Sequence, residues 1–194
     1  MAGMLFFFLM LVGNLHAGEQ ENLRARVGIE LFPSVLSADI GIKQKQDVDG
    51  KLRILVLYHQ QKEIAEDIAR YLNRVGHVKG IPLKVEQVQR TDLKPDSKID
   101  SNLDSKLNSN QAKTIAGIFI AEHVGDDLPF ILQFAEQKGI LVFSPFEGDV
   151  ERGAPAGIYI SDRIFPYVNI EALNRFNIRL KPFFLKISEK YGHQ

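Results

Sequence analysis

Residues 52–88, LRILVLYHQQKEIAEDIARYLNRVGHVKGIPLKVEQV, decide the fold. Leu52 to Tyr58 is a near-continuous apolar run, the pattern of a strand buried on both faces of a parallel sheet. From Gln61 to Val75 the period changes: Ile64, Ile68, Leu72 and Val75 share one helical face, and Gly76 stands where a left-handed residue ends a helix. Pro82 to Val88 alternates in side-chain character and reads as a second strand, nearer an edge because proline cannot donate to a ladder. Strand, helix, strand is the unit from which parallel sheets are assembled, since parallel neighbours need a long crossover.

Working outward, Asn22 to Asp39 places Leu23, Val27, Leu31, Val35 and Ala38 at helical spacing, with Pro33 expected to kink or split the helix. Polar residues Lys43 to Lys51 form a linker with a turn at Asp49-Gly50. Residues 90–113 are rich in Asp, Ser, Asn and Lys, yet Ile99, Leu103 and Leu107 are spaced by four, which predicts a marginal surface helix inside a long loop. Ile115 to Ala121 is a third buried strand. Asp126 and Asp127 are placed to cap a helix with Leu128, Ile131, Leu132 and Ala135 inward, and Gly139 ends it.

Ile140 to Ser144 is a fourth strand, followed by the loop Pro145 to Gly157. Gly157 to Ile160 and Ile164 to Val168 then form a hairpin across Ser161-Asp162-Arg163. Asn169 to Phe176 reads as a short helix, with Asn169 more naturally an N-cap than a ligand contact. A last helix follows Leu180, with Pro182 in its first turn and Phe184, Ile187 and Tyr191 facing inward. Phe183-Phe184 reads as core rather than as a docking patch. The expected fold is a single layered α/β domain with a mainly parallel central sheet, helices on both faces and a C-terminal antiparallel hairpin.

The first residues carry an apolar run from Met4 to Val12 that is too short to span a bilayer and has the length of a signal-peptide core. It has no polar face, which argues against a buried N-terminal helix. Residues 1–18 are therefore expected to be a signal peptide cleaved near Ala17 or Gly18, leaving residues 19–194 as one domain in the periplasm. The chain has no cysteine, which excludes disulfides, thiolate metal sites, thiol nucleophiles and a lipidated cysteine. Lys plus Arg and Asp plus Glu each total 24, so no global field draws in nucleic acid or an anionic membrane.

In parallel sheets ligands settle at the carboxyl ends of strands, where strand order reverses. Those ends carry Tyr58, His59, Glu122, His123 and Ser144, with Glu151 and Arg152 in the adjoining loop, and these seven residues are the candidate ligand site. If the first and third strands are neighbours, His59 and His123 approach each other. Two histidines and Glu122 have the chemistry for zinc or iron, but the chain lacks a tight HxxxH or HxH spacing, so no metal is expected. Ser144 sits at a strand end, yet Phe143-Ser144-Pro145 lacks the glycines of GxSxG and proline supplies no oxyanion amide, so no catalytic role is expected. No GxGxxG or P-loop pattern occurs, and no cofactor is expected. Arg152 suits a carboxylate or phosphate, but pairing with Glu147, Asp149 or Glu151 to fix the loop is the favoured reading.

Residues 140–190 resemble the end of the YfiR-like family of small periplasmic proteins. The matching pieces are Glu151-Arg152-Gly153, Ala156-Gly157-Ile158-Tyr159-Ile160, Arg163-Ile164-Phe165-Pro166-Tyr167-Val168-Asn169, Ala172-Leu173, and Ile178 through Ile187. The sequence departs from the family at Ala154, where a second glycine is usual, and at Lys181-Pro182, where the family has a small polar pair. The resemblance implies a non-enzymatic, exported regulatory protein acting by binding, with a tendency to form homodimers; the expected partner is an inner-membrane sensor or cyclase, or a small-molecule ligand at the strand-end edge. A second likeness joins residues 115–121 and 139–144 to the middle of a type 1 periplasmic binding domain, which implies a solute-binding component of an ABC-type uptake system. That class needs two lobes, and this chain supplies about one.

Overall fold

The computed structural model describes residues 23–93 and 114–192. The signal-peptide reading of residues 1–18 and the marginal helix expected at Ile99, Leu103 and Leu107 lie outside them. Among the described residues, eight strands form one sheet in the order β2-β3-β1-β4-β5-β6-β7-β8. They are β1 Leu52–Tyr58, β2 His77–Val78, β3 Ile81–Gln89, β4 Ile115–Ile120, β5 Leu141–Ser144, β6 Ala156–Ile160, β7 Ile164–Asn169 and β8 Glu189–Tyr191. Strands β3, β1, β4, β5 and β6 run parallel. Strand β7 turns back antiparallel to β6, and β8 lies parallel to β7. The helices are α1 (residues 23–38), α2 Lys62–Val75, α3 Leu128–Gln137, α4 Ile170–Arg175 and α5 Pro182–Ile187.

Two crossovers set the layering. Strand β1 passes through α2 to β3 on one side, and β4 passes through α3 to β5 on the other. Right-handed crossovers travelling in opposite directions place α2 and α3 on opposite faces. Helix α1 lies beside α2, with which it lines a common groove. The domain is therefore α/β with helices on both faces of a mainly parallel sheet.

Helix α1 is seated by aromatic packing. Phe32, Phe119 and Phe143 are fully buried, with ring centroids 5.5 to 5.6 Å apart. A Cβ on Gly117 would stand 2.9 Å from Leu36 Cδ2 and 3.0 Å from Phe32 Cζ, so glycine lets α1 lie directly on β4. The expected split at Pro33 does not occur, since the chain stays helical through it. Proline removes the donor to the Ile29 carbonyl, but full burial of Phe32, Val35 and Leu36 offsets that loss.

The polar linker is more ordered than its composition suggests. Residues Ile42–Lys45 form a 3-10 turn, and buried Asp47 accepts hydrogen bonds on Oδ1 from the amides of Asp49 and Lys51, closing the turn at Asp49-Gly50. Strands β2 and β3 form a hairpin that the sequence reading missed. Its two-residue turn, Lys79-Gly80, has φ of 53° and 78°, the paired positive values of a type I′ turn.

Two further expectations are corrected. Asp126 and Asp127 do not cap α3 with their side chains; they belong to a 3-10 turn, Gly125–Asp127, leading into it. The last helix stops at Ile187, and the chain continues as β8 instead of carrying Tyr191 inward on a helix. Phe184 is buried, whereas Phe183 is 73% exposed, Ile187 47% and Tyr191 39%, so only the first fills the core. Consecutive residues on a helix point about 100° apart, so Phe183 faces outward where Phe184 faces in.

Candidate functional site

Strand order reverses between β1 and β4, the position at which open α/β sheets usually accept a ligand. Here the crevice is filled from within. Glu122, just beyond β4, turns its carboxylate onto the loop between β1 and α2, where Oε2 accepts hydrogen bonds from the amides of His59 at 3.0 Å, Gln60 at 2.8 Å and Gln61 at 2.9 Å. Three successive amides converging on one oxygen make an anion-binding nest, strengthened by the positive end of α2. The chain's own carboxylate occupies it. Neighbouring strand ends are braced as well: Gln89 Nε2 donates to the His59 carbonyl at 3.1 Å, and Arg90 pairs with Asp127.

A second polar assembly fixes the loop after β5. Ser144 Oγ donates to Asp149 Oδ2 at 2.6 Å and accepts from the Phe146 amide at 3.3 Å. Arg152 Nη1 reaches Asp149 Oδ1 at 3.5 Å, and Nη2 donates to the Gly125 carbonyl at 2.7 Å, which ties the loop to the end of β4. Gly125 in turn donates its amide to His123 Nδ1 at 3.2 Å. Burial pushes the Asp149 carboxyl above its ordinary range, while the Ser144 hydrogen bond and the charges of His123 and Arg152 oppose that rise. Asn169 closes the far side: its Nδ2 donates to the Val150 carbonyl, and its Oδ1 accepts from the Ala172 amide as the N-cap of α4. A Cβ on Gly157 would fall 2.3 Å from the Ser144 carbonyl oxygen, so β6 can pair with β5 here only as glycine.

The seven candidate residues thus separate into distinct groups. Tyr58 is half-buried against the core at the end of β1. Strands β1 and β4 are adjacent, so His59 and His123 sit on neighbouring loops, but their rings turn to different partners. His59 Nε2 lies 3.2 Å from Gln60 Nε2, while the His123 ring packs edge-on against Phe146. With Glu122 held on the amides, among the described residues no group of three or more His, Cys, Asp or Glu converges to hold a metal ion. Ser144 is fully buried and bonded to a carboxylate, out of reach of any substrate. Arg152 fixes the loop, and Glu151 Oε1 accepts from the Tyr167 hydroxyl at 3.0 Å on the outer sheet face.

Asp149, Gln89 and Asn169 complete the bracing but were not among the site candidates. Asp149 had a visible signal, a carboxylate five residues after a strand-end serine. A concavity of about 670 Å³ lies away from the strand ends, an open groove between α1 and α2 lined by Ile29, Ile68 and Tyr71 and by Arg26, Arg70 and Arg74.

The fold is similar to those of solved α/β proteins that include a substrate-binding protein. No family model and no curated protein matches the chain. Among solved structures it is similar to the ABC domain in complex with L-Trp from Streptococcus pneumonia, at 12% identity and a TM-score of 0.52, over 86% of this chain and 61% of the other. It is also similar to the ligand-free, open form of a substrate-binding protein with adhesive properties from Clostridium difficile, at 14% identity and a TM-score of 0.51, over 86% and 59%. A conserved domain protein from Vibrio cholerae aligns at 16% identity with a TM-score of 0.50, over 76% and 57%. The chain therefore spans about three-fifths of the length of these structures.

Proposed function

We propose that this is a non-enzymatic binding and regulatory protein of the periplasm, of YfiR-like type, that acts by protein contact on a membrane signalling partner. The observation that carries the reading is the Glu122 carboxylate seated on the amides of His59, Gln60 and Gln61. A small ligand at the strand-order reversal would have to displace it, and the one hydroxyl placed like a nucleophile, Ser144, is buried and bonded to Asp149. The resemblance over residues 140–190 supports the compartment and the mode of action. Among the described residues no helix is long and apolar enough to cross a membrane.

The second reading is a solute-binding component of an uptake system. It is favoured by the likeness in fold to substrate-binding proteins, one of them in complex with L-Trp. A thermal-shift screen of amino acids, other metabolites and divalent metals separates the two. Silence toward all of them is expected for the protein-contact module, because a ligand stabilises only what it binds. A rise in melting temperature with a metabolite favours the carrier, and a rise with metal that His59→Ala abolishes overturns both.

A further inference from the structure

The end of the sheet formed by β6, β7 and β8 carries an aromatic, acidic face that the strand-end bracing does not use. In the β6–β7 ladder Gly157 lies opposite Tyr167 and Tyr159 opposite Phe165, and in the β7–β8 ladder Glu189 lies opposite Tyr167 and Tyr191 opposite Asn169. Residues directly opposite share a face, so Tyr159, Phe165, Tyr167, Glu189 and Tyr191 stand on one side. The rings of Tyr159 and Tyr167 are 5.5 Å apart in an edge-to-face arrangement. Glu151 holds the Tyr167 hydroxyl from the loop side, and Glu147 is almost fully exposed. A small cleft of about 120 Å³ opens between Tyr159, Tyr167, Glu147, Glu151 and Arg24. Arg24 is already committed to the Pro145 carbonyl and to Glu147.

Strand β8 ends the sheet, and all three of its residues are exposed. Among the described residues nothing pairs with its outer edge. An open edge is where an extended peptide can add a strand, and Lys190 projects to the face opposite Glu189 and Tyr191.

We propose that this edge is a docking surface for an extended, lysine- or arginine-bearing segment of a partner protein. The segment adds to β8 and sets its cationic side chains against Tyr191 and Glu189, with Tyr167 one strand further in on the same face. The charge decides the occupant, since tyrosine faces attract cations and the Glu189 carboxylate repels an acidic segment. This deepens the protein-contact reading and rests on it.

The test uses the full chain and a fluorescein-labelled octapeptide of alternating Lys and Val, with an alternating Glu and Val octapeptide as control, read by fluorescence anisotropy. The Lys peptide binds, more weakly as salt rises, and hydrogen exchange at residues 189–191 slows on binding. The dissociation constant rises about tenfold in Tyr167→Ala/Tyr191→Ala, as expected for two exposed cation–π contacts, and severalfold in Glu189→Gln. Equal binding of both peptides, no binding of either, or affinity unchanged in both variants overturns the surface. So does sedimentation showing that the edge is taken by a second copy of the chain. If the peptide fails while the metabolite screen stays silent, only this surface falls; stabilisation by a metabolite removes the parent reading.

Discussion

Ser144 Oγ and Asp149 Oδ2 lie 2.6 Å apart, and both residues are 0% exposed. A buried carboxylate held by one hydroxyl and one distant guanidinium is sensitive to loss of either. Ser144→Ala is expected to cost about 1–3 kcal/mol, because it leaves a buried acceptor unpaired. Chemical denaturation at neutral pH checks it, and an unchanged midpoint would refute the bracing role.

The same pair gives a pH signature. Burial raises the Asp149 carboxyl above its ordinary value of 3.8, so the folded protein holds this proton more tightly than the unfolded chain. The stabilisation from that proton is complete below about pH 4 and is lost as pH rises through the folded value. Asp149→Asn removes this dependence, so its stability relative to the wild type should improve as pH rises from about 4 to 7. Parallel urea titrations at several pH values read the difference.

Tyr167 predicts an effect at the alkaline end. Burial first, then its hydrogen bond to Glu151 and the nearby charge, pushes the phenol up to about 12. The associated stabilisation is present below the ordinary value of 10.0 and fades as pH rises through about 12. Glu151→Gln should lower the value, and the ultraviolet absorbance of the phenolate during a pH titration reports it directly.

Glu122→Ala should lower the melting temperature, by the equivalent of about 1–3 kcal/mol, through loss of charge-assisted bonds to three amides. Glu122→Gln, which keeps the accepting oxygen, should cost less. Phosphate should stabilise the alanine variant more than the wild type, because the emptied nest then accepts an outside anion. Equal responses to phosphate would contradict the assignment of the carboxylate as the nest's occupant.

At Gly157 the neighbour is backbone, which cannot swing aside. Gly157→Ala should destabilise by about 3 kcal/mol or prevent folding. Gly80→Ala is the control: its Cβ meets nothing within 4 Å, so only the positive φ of 78° is penalised, at about 1–2 kcal/mol. Comparing the two melting temperatures separates a steric clash from a backbone penalty.

How much was legible follows from how local each signal is. Strand β1 occupies the span its apolar run defines, and Leu128, Ile131, Leu132 and Ala135 are all buried as their spacing demands. Pro33 misled because a local cost was outweighed by packing of Phe32 and Leu36 on Gly117, residues far apart in sequence. Strand β8 carried no signal, since Glu189, Lys190 and Tyr191 have no apolar pattern and become a strand only by pairing with β7. Glu122 was visible as a strand-end carboxylate. Its task was not, because that depends on β1 and β4 being neighbours and on a nest of amides that no side chain announces.

That carboxylate also sets a concentration scale. Tethered beside its nest by a short stretch of β4, Glu122 competes as an intramolecular ligand whose effective concentration is on the order of millimolar or above. A free anion that binds the amides no better than a carboxylate must match that figure before it gains half occupancy. The crevice therefore discriminates against dilute anions that bind the amides no better than its own carboxylate does.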